Sequence, residues 1–304
     1  MSTMTPEESE QIAAAGSVFF QNMSGMILRN GLLGVYMLVF IITMHIILQK
    51  ENTGQAHKAL ITVLLAGFVM VVLDTCAYIA SDLFLVKFGL VESLPGGLIT
   101  QEMAANLKNS LTYTLQNWSE NFLYLIADTA IAWRACVLLA ENRLIQWMLL
   151  IILLADIGVN IADCVVDTKA VINSNFNGLT LDWLITLCSL AVNVVATLLI
   201  AHRAWKHHQS TGAILHHKKT QVEAILALMV ESGVIFGVVQ TSCVIFGALK
   251  IHAAKFSPVD NANAFLQGLT IYSAVLNPVA LVIMIQTGST YEQSFHLEDV
   301  SSGN

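Results

Sequence analysis

Residues 117–143 read NWSENFLYLIADTAIAWRACVLLAENR. The middle of this stretch is apolar enough to cross a bilayer, yet Asp128, Trp133 and Arg134 lie inside the apolar run. An ionisable group at membrane depth is costly unless it is paired or faces an aqueous cavity. A chain that keeps an acid and a guanidinium there must surround them with other protein. The helix carrying them therefore belongs at the centre of a bundle, with Trp133 buried beside Arg134 and its ring available to stack on the guanidinium.

Composition agrees with a membrane protein. Of 304 residues, 56% are hydrophobic and 12% charged, whereas a soluble domain carries about 25% charged residues. The five cysteines, Cys76, Cys136, Cys164, Cys188 and Cys243, all fall in apolar stretches without CxxC spacing. That pattern fits small buried hydrophobes and not a disulfide framework or a metal site. No cofactor, metal or nucleic-acid signature is present, and the partner implied by composition is the lipid bilayer. The opening MSTMTPEESE is polar and acidic, unlike a cleavable signal, so the first span is expected to act as its own insertion signal.

Seven runs reach the roughly 20 residues that a spanning helix needs. They cover 31–49, 59–83, 118–140, 144–166, 181–202, 222–249 and 262–286. The expected fold is an all-α membrane protein, a seven-transmembrane helix bundle over 31–286. Residues 1–30 form an extracellular lead-in near the interface, and 287–304 an acidic and polar cytoplasmic tail. The long connections are 84–117 and 203–221.

Orientation rests on Lys and Arg in the flanks. With the N-terminus outside, eight of them fall on the inner side (Lys50, Lys58, Arg134, Arg143, Arg203, Lys206, Lys218, Lys219) and six on the outer. The connection RAWKHHQSTGAILHHKK is basic and lacks acids, which marks it as cytoplasmic and as the surface for a signalling partner. Two sequons, Asn22-Met-Ser and Asn117-Trp-Ser, both fall on the outer side and are candidate glycosylation sites. The topology is N-terminus outside, C-terminus cytoplasmic, with the plasma membrane as the expected location. The last run has no lysine, which excludes a retinal Schiff base.

Depth along each helix, at a 1.5 Å rise per residue, sorts the intramembrane polar groups into two layers. Arg134, Glu231, Asn193 and Asn277 come out roughly 12–14 Å from the inner ends of their helices. Asp74, Asp128 and Asp156 come out about 20 Å in. The first set is expected to form a buried polar network in which Arg134 meets Glu231. The second set holds the ligand or ion candidates, and because like charges repel, at least one of these acids must be protonated or meet a cation. Gly233-Val-Ile-Phe-Gly237 fits G-x-x-x-G, expected to bring two helices of this chain close together.

Seven spans with Asp74 in the second and Asn277-Pro278 in the seventh resemble the G-protein-coupled receptor architecture. Leu281, Trp133-Arg134-Ala135 and a sixth helix without proline depart from its rhodopsin-like class. Most of the chain is more similar to seven-transmembrane families of mushroom-forming (basidiomycete) fungi. That resemblance is carried by Asp128-x5-Arg134 with Trp133, by Asn193 and His202-Arg203-Ala204-Trp205, and by Val222-Glu223 with Val230-Glu231-Ser232-Gly233. It implies a receptor-like architecture and no mechanism. The expected function is sensing of a small or lipidic ligand in the outer half, near Asp74, Asp128 and Asp156. A small-solute or proton-coupled transporter is the alternative, since stacked acids can relay protons, although only one helix is broken. An intramembrane enzyme would need clustered ligands or nucleophiles, and only His45 lies within the body of a span, so no enzyme is expected.

Overall fold

Long apolar segments must satisfy every backbone hydrogen bond internally when they sit in lipid, and the helix is the local solution. A computed structural model of the chain describes residues 6–49, 54–88, 97–139, 142–172, 181–212, 221–253 and 257–301. They form seven helices, with no strand among the described residues: α1 (Pro6–Leu48), α2 (Gln55–Val86), α3 (Gly97–Leu138), α4 (Arg143–Ile172), α5 (Asp182–Gly212), α6 (Gln221–Lys250) and α7 (Pro258–Ser301). The first six are long and apolar enough to cross a membrane. They run alternately up and down. The end of the bundle at which α1, α3, α5 and α7 begin is called the upper end below.

Helices extend further than the hydropathy runs. Residues 11–28 continue α1 without a break, so the lead-in is helical and carries Arg29 into the packed region. Most of the 84–117 connection is the first half of α3, which has 42 residues. Here α2 and α3 run side by side, and Asn109 Nδ2 donates to Ser81 Oγ at 2.7 Å. The 203–221 connection is shortened in the same way, because α5 continues to Gly212 and α6 starts at Gln221. Of that basic stretch, 213–220 lie outside the described residues. The backbone of α7 stays helical through Pro278 and on to Ser301, covering most of 287–304.

Each helix packs against its neighbours in sequence, and α7 returns to α1, which closes a ring. In the middle, α3 touches α2, α4, α5 and α7. It is the most enclosed span, with 44% of its apolar window buried against 22% for α1. The ionisable pair in its sequence thus does mark the central helix. Two apolar clusters fill the interior. One joins Tyr36, Phe40 and Ile47 of α1 to Leu64 and Val71 of α2 and to Ile271, Tyr272 and Val279 of α7. The other joins Ala127, Ile131 and Ala135 of α3 to Ala196 and Ile200 of α5 and Phe236 of α6.

Close approach of α5 and α6 depends on the two glycines. A Cβ at Gly233 would stand 3.2 Å from Thr197 Cβ and closer still to its methyl and hydroxyl, and one at Gly237 would stand 3.3 Å from Asn193 Nδ2. The G-x-x-x-G expectation therefore holds, with both helices supplied by one chain. Gly233→Ala should lower stability in detergent by about 1–3 kcal/mol, the usual cost of overpacking. Adding Thr197→Ala should restore most of the loss in a thermal melt. Equal melting of parent and Gly233→Ala would show that the contact is slack.

Candidate functional site

Polar residues recur at helical spacing on the two facing sides of α3 and α4. On α3 they are Asn117, Glu120, Asn121, Tyr124 and Asp128; on α4 they are Asp156, Asn160, Asp163 and Asp167. Steps of three and four residues keep each set on one helical face. In an otherwise apolar helix such a face turns away from lipid. All four α4 residues are buried accordingly. The helices are antiparallel, so the rungs match. Asn117 Nδ2 donates to Asp167 Oδ2 at 2.7 Å, and Asn121 Nδ2 to Asp163 Oδ2 at 3.3 Å. Further down, Asp128 and Asp156 are electrostatic neighbours.

At the upper end this column opens into a cavity of about 220 Å³. Arg29 of α1, Tyr113, Gln116, Asn117, Glu120, Asn121 and Tyr124 of α3, Asp163 and Asp167 of α4, Ile185 and Thr186 of α5, and Gln267 and Ile271 of α7 line it. Arg29 is set in place by several groups at once. Its Nη1 donates to Asp74 Oδ2 at 3.3 Å and to Glu120 Oε1 at 3.1 Å. Its guanidinium also lies 4.1 Å from the centroid of the Tyr78 ring. Gln116 Nε2 donates to the same Glu120 oxygen at 3.0 Å.

Below the cavity, hydrogen bonds pass from α3 through α5 and α6. Ser189 Oγ donates to Asp128 Oδ1 at 3.0 Å, and Gln240 Nε2 donates to Ser189 Oγ at 2.8 Å. Asn193 Nδ2 donates to Gln240 Oε1 at 3.2 Å and to the carbonyl of Gly233 at 3.0 Å. Thr197 Oγ1 donates to Asn193 Oδ1 at 3.3 Å. One polar network thus reaches from the membrane centre to the α5–α6 contact.

No protein-family model, curated protein or solved structure matches this chain. The site must be read from its own geometry.

The three acids expected in one layer divide into two places. Asp74 meets a cation, one of the two outcomes the repulsion argument allows for one of the acids, and that cation is Arg29 from the supposed lead-in. Asp128 and Asp156 sit together with Ser189 and Asn160, each fully buried and each with Oδ2 unpartnered among the described residues. The lower layer needs correction. Asn193 is buried, but it bonds α6 backbone and Gln240. Glu231 is exposed, so it does not pair with Arg134. Depth matched, azimuth did not: Leu226, Gly233, Phe236, Gln240 and Cys243 define the inward side of α6, and at 3.6 residues per turn Glu231 falls nearly opposite.

Arg134 is buried, donates from Nε to the Ala130 carbonyl at 3.1 Å, and leaves Nη2 without a partner among the described residues. Asn277 is likewise buried with both side-chain polar atoms unpartnered among them. Trp133 is 61% exposed and points to the lipid side, not into the bundle. The sequon residue Asn117 is half-buried in the cavity wall, its amide engaged by Asp167 and Asn121.

Sequence reasoning missed Arg29, Glu120, Asn121, Asp163 and Asp167. The stripe on α4 was there to be found by counting three and four residues onward from Asp156. Arg29→Met should lower stability by about 3–5 kcal/mol, because Asp74 and Glu120 would be left facing each other without a counter-charge. Arg29→Met with Glu120→Gln should recover part of it, read as thermal stability in detergent and as surface delivery. Purely additive losses would show that the three groups do not act as a unit.

Proposed function

We propose that this chain is a seven-span receptor-like protein of the plasma membrane, N-terminus outside and C-terminus cytoplasmic, that senses a small ligand. The carrying observation is the polar cavity walled by five helices at the upper end. Ligand sites in helical bundles lie between helices, with a few converging polar groups against apolar walls. The site proposed here is one to two turns above Asp128 and Asp156, and Asp74 enters it through Arg29. The hydrogen-bonded links from Asp128 to the α5–α6 contact supply a route by which occupancy of the cavity would bias helix packing below. The resemblance to the basidiomycete seven-span families and the basic stretch after α5 support the same reading, with the 203–221 region as the coupling surface. The column of acids on α3 and α4 favours one other reading, a proton-coupled transporter.

Reconstitution separates the two. Vesicles carrying a pH gradient should keep it when this protein is inserted; collapse of the gradient in proportion to protein content would favour transport.

Orientation has its own test. The apolar segment of α1, Gly16–Leu48, has 33 residues, which is about 50 Å of helix for a hydrocarbon core of about 30 Å. Asn22 near its start can therefore stand clear of the hydrocarbon. Expressed in a eukaryotic secretory system, the parent should carry an endoglycosidase-sensitive glycan that Asn22→Gln lacks. An N-terminal tag open to protease only from the cytosol would reverse the topology.

A further inference from the structure

Among the described residues, the wall of the cavity at the upper end carries more acidic than basic side chains. Arg29 is the single cation among the described residues lining it, beside the acids Glu120, Asp163 and Asp167. That cation is committed already, since one nitrogen serves both Glu120 and Asp74 and the guanidinium lies over Tyr78. The acids of α4 are on the other side. Asp163 is fully buried, and its Oδ2 accepts from Asn121. The backbone amide of Leu181 also reaches its carboxyl group. Its Oδ1 has no hydrogen-bond partner among the described residues. One turn further up is Asp167, close enough to interact with it electrostatically. Buried carboxylates are normally paired with a donor or a cation.

The rest of the wall narrows what can supply that cation. Tyr113 and Tyr124 present aromatic rings, and Ile185 and Ile271 present hydrocarbon. Organic ammonium groups are drawn to aromatic faces as well as to carboxylates. No group of three or more His, Cys, Asp or Glu side chains among the described residues could hold a metal ion. At about 220 Å³ the cavity lies below the roughly 300–1,000 Å³ of drug-sized ligand sites, which sets a small molecule as its occupant.

We propose that the ligand of this cavity is a small organic cation: an ammonium group held at Asp163, with a short aromatic or aliphatic body against Tyr124, Ile185 and Ile271. This deepens the receptor reading and rests on the cavity being the ligand site. An anion would face three carboxylates and an arginine already engaged. A neutral donor could meet Asp163 Oδ1 with a hydrogen bond but would add no charge to the acidic side of the wall, which an ammonium group does together with its hydrogen bond.

The test uses the full chain in lipid nanodiscs and three matched probes: 2-phenylethylamine, 3-phenylpropanoate and 2-phenylethanol, with calcium chloride as an inorganic control. The amine should bind saturably and raise the melting temperature, and the anion, the alcohol and calcium should not. Asp163→Asn should weaken amine binding at least tenfold, whereas Asn277→Ala, outside the cavity, should leave it unchanged. Should Asp163→Asn not fold, a Tyr113→Cys variant reads the same property at the cavity wall. Its thiol should react faster with a cationic methanethiosulfonate than with an anionic one, relative to the parent, and 2-phenylethylamine should abolish the difference. Amine binding that is absent, matched by the anion or displaced by calcium overturns the proposal. If the alcohol or the anion binds instead and Asn121→Leu removes that binding, the ligand class fails and the cavity stands as the site. If no probe depends on cavity residues, the receptor reading fails with it.

Discussion

Arg29 is shared between two carboxylates on two other helices, and the upper half of the bundle is arranged around that fact. A guanidinium at the level of the hydrocarbon is costly alone, and so is each carboxylate. Bringing α1, α2 and α3 to one point meets all three requirements together, with the Tyr78 ring covering the guanidinium face. Charge placement here fixes which helices are neighbours, while apolar packing fills the space between them. Because Arg29 is spent on this junction, it also leaves the α4 side of the cavity acidic.

The α3–α4 seam carries the second constraint. Two stripes of polar residues on antiparallel helices must face each other, since neither can face lipid. That seam runs from Asn117 and Asp167 at the top to Asp128 and Asp156 at mid-depth. There the hydrogen bonds turn sideways, through Ser189 and Gln240, toward the glycine contact of α5 and α6. Hydrogen bonds therefore tie Asp128 through Ser189 and Gln240 to Asn193, while Arg134 and Asn277 lie outside that path.

Much of this was legible in the sequence, and the failures have one cause. The central place of α3 followed from ionisable residues inside its apolar run. Like-charge repulsion called for a proton or a cation at one of the three acids without saying which, and the close α5–α6 contact followed from Gly233 and Gly237. Depth is one coordinate of a residue on a helix, and azimuth is the other. Glu231 and Trp133 were assigned by depth or by neighbourhood in sequence, and both lie on outward faces. Counting by three and four would have turned Glu231 away and picked out Asn160, Asp163 and Asp167. Arg29 was hidden for a different reason: Gln21, Asn22 and Ser24 interrupt the apolar run above it, so hydropathy started the first helix too late. Helix propensity and internal backbone bonding carry α1 through those residues regardless.

The ring closed by α1 and α7 sets an order in time. Helices leave the ribosome one after another, so α1 can settle against α2 and α3 while the chain is still growing. Its remaining face, where Thr43 meets the Val279 carbonyl and Tyr36 and Phe40 join the α7 cluster, is covered only once α7 has been made. The Thr75 hydroxyl on α2 similarly waits for Tyr272. The earliest helix thus holds a vacancy for the latest. A chain lacking α7 would leave this face of α1, with its apolar side chains and the Thr43 hydroxyl, turned to the lipid.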